Sequence, residues 1–224
     1  MPLLPEPITI RALLDEKGLT GHVVALSAKN KYKTSVIVKN LCAARTGAEL
    51  TNLMMEAGHA DPAITRDRVN RISDGLEVFL GPAMTDKMLS GLAETAMTTT
   101  GVPWLEELQV RHGVITEEIS GMKNHPQLPL VLAGVWLQAS WLTASALEES
   151  GNVEDAHALL YRPEIGTYFR SYVHTRGKED FPQSVLNSLE KTLDVMDTRT
   201  AKDPMTTADI TIVRKSVQGL LHSM

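Results

Sequence analysis

Between Lys123 and Glu148 the chain runs for 24 residues without a charged side chain. Its densest part reads Leu128-Pro129-Leu130-Val131-Leu132-Ala133-Gly134-Val135-Trp136-Leu137 and continues to Leu147. A helix that is apolar on every side has to be surrounded, by protein or by lipid. From Pro129 to Leu147 it would measure about 28 Å, just enough for a hydrocarbon core of about 30 Å. Gln138, Ser140, Thr143 and Ser145 fall in its second half, where a spanning helix needs Leu or Ile. Pro126 and Pro129 stand at its start, as at the first turn of a helix in a soluble protein. Its flanks, Lys123 on one side and Glu148-Glu149 on the other, give no strong charge asymmetry to orient it. The reading is a buried helix and no membrane span.

The rest of the chain repeats apolar residues every three or four positions, and strand alternation is rare. Asp61-Pro62 reads as an N-cap with Pro at the first helical position, followed by a stripe of Thr65, Val69, Ile72, Leu76, Phe79 and Leu80 that stops at Gly81-Pro82. Thr85 is placed to cap a helix that runs to Gly101. Pro103 opens another, which Gly113 is expected to divide. Phe181, Val185, Leu189, Leu193 and Met196 mark an amphipathic helix, and Thr206 with Asp209 forms a capping-box-like start before Ile210, Val213 and Val217. Ile8 to Lys17 reads as a short helix and Lys31 to Ala57 as one long helix. Val153 to Thr175 reads as two short helices parted at Arg162-Pro163. His22 to Ala28 is the one place where a short strand competes. The expected fold is therefore all-α. It is a single-domain bundle spanning 1–224, with a Pro-rich lead-in at 1–7 and about nine or ten helices around a central apolar helix at 129–147.

Composition narrows the function classes. Net charge is −5 and the isoelectric point near 5.8, so there is no general attraction to nucleic acid or to acidic membranes. One cysteine, Cys42, rules out an internal disulfide and reads as a buried thiol. No signal peptide is visible at the N-terminus, which makes the cytoplasm the default location. A periplasmic location follows if a signal has been removed ahead of Met1. Phosphate-binding glycine loops, nucleophile elbows and His-Glu-x-x-His are missing from the sequence.

Three features carry possible chemistry. The first is a pair of Glu-x-x-His motifs, Glu56 with His59 and Glu154 with His157. Residues three apart share a helix face, and two such motifs plus further glutamates build the di-iron centre of ferritin-like bundles. The chance reading, surface pairs without metal, is favoured, because Gly58 interrupts the first motif and the second sits at a helix start. The second is Tyr161 to Arg176, which holds four of the seven Phe and Tyr residues with three arginines. Tyr161, Arg162, Tyr168, Arg170 and Tyr172 are its candidate binding residues, against the plainer reading of an amphipathic packing helix. The third is Lys29-Asn30-Lys31-Tyr32-Lys33 with Lys39 and Arg45, a minimal phosphate-contact footprint whose plainer reading is a solvated helix start.

The expected function is a non-catalytic soluble helical protein working through protein–protein or small-ligand contacts, with no cofactor. Self-association is open. A di-iron enzyme at the Glu-x-x-His pairs is one alternative. A sensor holding an apolar ligand near Trp136 or Trp141 is the other; five positions apart, those rings point about 140° apart and cannot share one pocket.

Overall fold

The computed structural model describes residues 7–34, 38–59, 61–98, 101–121, 127–177, 183–199 and 203–223. Among them the chain is all-α, 84% helical and without a strand. It divides into two compact units, one formed by residues 27–135 and the other by residues 1–26 with 136–224.

The first unit is built on α3 (Lys39–Glu56) and α4 (Pro62–Leu80), with α5 (Pro82–Leu89), α6 (Leu92–Thr98) and α7 (Gly101–Gly121) packed beside them. The start of α4 is as the sequence predicts: the Asp61 carboxylate accepts the Ala63 amide at 2.7 Å and Pro62 takes the first helical position. Gly81, at φ 84°, ends α4 in a conformation that other residues rarely adopt. Thr65, Val69, Ile72, Leu76 and Phe79 are buried, as their spacing requires, while Leu80 at the helix end is only half-buried.

The first residues of α8 (Leu128–Ser150), up to Val135, belong to this unit and cross α3 at backbone contact. A Cβ at Gly47 would collide with the Val131 carbonyl oxygen, and one at Gly134 would collide with that of Ala44. Thr51 Oγ1 donates to Gly47 O at 3.1 Å and Val135 O at 3.2 Å. α8 is long and apolar enough to cross a membrane, and 89% of its most apolar window is buried inside the protein.

The second unit holds α1 (Pro7–Glu16) and most of α2 (Thr20–Lys29). From Trp136 onward it takes the rest of α8, α9 (Ala156–Leu160), α10 (Pro163–Tyr172), a π-helical turn at Val173–Gly177, α11 (Gln183–Asp197) and α12 (Thr207–Ser223). Trp136 stacks on Phe169 with ring centroids 5.0 Å apart. The capping box forms: Asp209 Oδ2 accepts the Thr206 amide at 2.8 Å, and Thr206 Oγ1 accepts the Asp209 amide at 3.3 Å.

Four local expectations are corrected. His22 to Ala28 is helical, within α2. Gly113 does not break α7, because a single glycine costs only about 1 kcal/mol in a helix interior. The helix expected from Thr85 to Gly101 begins at Pro82 and is interrupted at Ser90-Gly91, and Thr85 Oγ1 back-bonds to Gly81 O instead of capping. The long helix expected from Lys31 to Ala57 starts only at Lys39, and residues 30–34 are irregular. Phe181 lies outside the described residues.

Candidate functional site: a strap pinned to buried charges

The irregular segment follows from where its backbone groups bond. Arg68 lies on the buried face of α4, between Thr65 and Ile72, and is 0% exposed. Glu49 and Glu56, two turns apart on α3, face it and are 0% and 1% exposed. The guanidinium Nε donates to Glu56 Oε2 at 2.9 Å, Nη2 donates to Glu56 Oε1, and Nη1 donates to Glu49 Oε2. Its two remaining N–H groups reach main-chain oxygens: Nη1 to Asn30 O at 3.2 Å and Nη2 to Ser27 O at 2.9 Å. All five donors of the guanidinium are used.

Glu49 and neighbouring side chains hold the same segment. Glu49 Oε1 accepts the Tyr32 amide at 2.5 Å and Arg71 Nε at 3.3 Å. Asn52 Nδ2 donates to Asn30 O, Arg45 Nη1 to Lys33 O at 2.9 Å, and Thr34 Oγ1 to Arg71 O at 2.6 Å. Residues 30–34 thus form a strap fastened to α3 and α4 by side chains. Burial along it alternates with period two, as in an extended chain: Tyr32 and Thr34 are buried while Lys31 and Lys33 are exposed. Asn30 Nδ2 donates to the Tyr32 hydroxyl at 2.9 Å, and burial pushes that phenol well above its ordinary pKa.

The charges alternate from the surface inward. Lys31 pairs with Asp67 at 3.1 Å, Asp67 with Arg71, Arg71 with Glu49, Glu49 with Arg68 and Arg68 with Glu56. Burial alone would lower the Arg68 pKa; the pull of Glu49 and Glu56 outweighs it and holds the group above its ordinary value. The Arg71 hydrogen bond holds the Asp67 carboxyl below its ordinary value, against a smaller opposing effect of burial.

Outside this inner network the strap presents positive charge. Between Lys29 and Glu49 the sequence has five basic residues and no acidic one. Lys29, Lys31, Lys33 and Lys39 are exposed, and Lys29, Lys33 and Lys39 make no ion pair among the described residues. Val38, beside Lys39, is 55% exposed.

The other candidates are used internally. On α10, Arg170 Nε bonds Asp197 at 3.0 Å and Nη2 bonds Asp194 at 2.8 Å, which joins α10 to α11. Arg162 Nη1 donates to the carbonyls of Ala158 and Tyr161. Tyr161 stacks on His157 at 4.6 Å, Tyr168 meets Phe169 edge-on at 5.2 Å, and Tyr172 is buried. Of the Glu-x-x-His residues, Glu56 is the counter-ion of Arg68, while His59 and Glu154 are exposed in turns. Among the described residues no group of three or more His, Cys, Asp or Glu side chains is placed to hold a metal ion. Cys42 is buried, and its thiol donates to Gly75 O at 3.2 Å.

A cavity of about 10 Å³, room for a single water, lies between Trp136, Ser140, Thr143 and Ile165, and Trp141 does not line it. An open cleft of about 460 Å³ is lined by Ser73, Glu77, Asp86, Ser90 and Glu94.

Sequence reasoning missed the network itself. Its trace was present: Arg68 is a charged residue on an otherwise apolar stripe, and Glu49 and Glu56 repeat at seven. The chain matches no protein-family model, no curated protein and no solved structure in the comparisons made.

Proposed function

We propose that this is a non-catalytic helical protein that works by contact, and that the strap is its contact surface, taking an anionic partner. One observation carries the reading. A fully buried arginine and one of its two buried counter-ions, Glu49, bond the backbone of an irregular segment at Asn30 and Tyr32, which leaves Lys31 and Lys33 facing solvent from a fixed support. Burying such charges is expensive, and apolar residues of similar size are often as stabilising or more so. What the charges provide in exchange is a defined backbone outside any helix. Preorganised contact residues lose less entropy on binding.

The test is retention on a carboxylate matrix at low salt and neutral pH. A protein of net charge −5 has no overall reason to bind such a matrix. The reading predicts weak, salt-reversible retention that the Lys31→Gln/Lys33→Gln variant loses and the Lys191→Gln/Lys215→Gln variant keeps. No retention, or equal loss in both variants, contradicts it.

A further inference from the structure

We infer that the partner of the strap is an acidic polypeptide segment in extended conformation, laid alongside residues 30–34 with its carboxylates on alternate residues. The inference rests on the docking reading above and names its partner. Three observations favour this occupant over other polyanions.

The first is spacing. Lys31 and Lys33 are both outward on a segment whose burial alternates. In an extended chain such residues lie about 7 Å apart, the same interval that separates alternate side chains of an extended partner. Lys29, exposed at the end of α2, lengthens the basic track.

The second is the backbone. The amide and carbonyl of Lys31 and the amide of Lys33 have no partner among the described residues, whereas the Tyr32 amide is engaged inward by Glu49 and the Lys33 carbonyl is taken at the surface by Arg45. A peptide that adds to such an edge gains main-chain hydrogen bonds as well as ion pairs. Lys31 is tied only to Asp67, and both are more than half or about half exposed, so an incoming carboxylate displaces a weak pair.

The third is what the strap does not offer. Single-stranded nucleic acid is held by aromatic platforms beside basic residues. The one aromatic of the strap, Tyr32, is 7% exposed and turned inward, hydrogen-bonded to Asn30. The side chains presented outward are lysines, suited to carboxylates.

The test is a titration of the full-length protein at low salt with three labelled probes. They are a peptide of alternating Glu and Thr, a peptide of the same composition with the Glu in blocks, and a single-stranded oligonucleotide of equal charge. The inference predicts that the alternating peptide binds tightest, and that Lys31→Gln/Lys33→Gln weakens it about tenfold while Lys191→Gln/Lys215→Gln does not. Tightest binding by the oligonucleotide would overturn the partner class and leave the docking reading standing. Equal binding of the two peptides would overturn the extended geometry. No binding of any probe would overturn both readings, and would leave the lysines as solvating residues that keep an extended segment from pairing.

Discussion

Arg68 decides most at the residue scale. Its five hydrogen bonds tie α3, α4 and the strap together, and it neutralises two carboxylates that water does not reach. Replacing it with Met leaves Glu49 with Arg71 alone and Glu56 with no positive partner among the described residues. The expected loss is about 3–5 kcal/mol of unfolding free energy, read by urea denaturation. Adding Glu56→Gln to Arg68→Met should restore part of that loss, because the uncompensated charge is gone. A single variant that loses under 1 kcal/mol would show that the charges are not energetically coupled. Asp209 is the second informative residue. Burial opposes its ionisation, and the two Thr206 bonds together with Arg199 outweigh it, so its folded-state pKa lies below the ordinary aspartate value. A depressed carboxyl contributes stability that is full above its unfolded pKa and is lost as pH falls through the folded one. Wild type should therefore exceed Asp209→Asn in urea midpoint at pH 7, and the gap should shrink below about pH 4. A gap constant from pH 7 to 3 would contradict the capping account.

Glycines separate contact from propensity at the scale of elements. Gly47 and Gly134 let α3 and α8 touch at their backbones, so Gly47→Ala and Gly134→Ala should each cost about 1–3 kcal/mol by overpacking. Gly113 in α7 and Gly219 in α12 have nothing within 4 Å of an added Cβ. Alanine there should stabilise by about 0.5–1 kcal/mol, since only helix propensity changes. Thermal denaturation of the four variants measures both signs, and a loss at Gly113 or Gly219 would be the contrary result. The same elements show what a sequence can and cannot reveal. The Asp61 cap and the Thr206–Asp209 box are legible because their partners lie within three residues. The start of α3 is not. Helical propensity carries the reading from Lys39 back to Lys31, but the strap finds partners 17 to 38 residues away in Glu49, Arg68 and Arg71. Those tertiary bonds outweigh local preference. Arg68 could be flagged as a charge on an apolar stripe, yet its two counter-ions sit 12 and 19 residues off, and no local rule assigns them.

For the molecule as a whole, the balance of charge separates two kinds of surface. The protein is acidic in sum, while the stretch from Lys29 to Arg45 is basic throughout. The site, its buried supports and the α3–α8 crossing all lie within the unit formed by residues 27–135. A basic track on an acidic protein steers an acidic partner to one place and repels it elsewhere, an effect that added salt should weaken. The docking account depends on the strap being a fixed part of the fold. The most direct test is native-state hydrogen exchange at the Tyr32 amide. Donated to a fully buried carboxylate, that amide should be protected to the degree of the interior amides of α3, and Glu49→Gln should reduce the protection. Exchange at the rate of an unstructured loop in the unmodified protein would mean that the buried charges do not hold the strap, and the account of the site would fall with it.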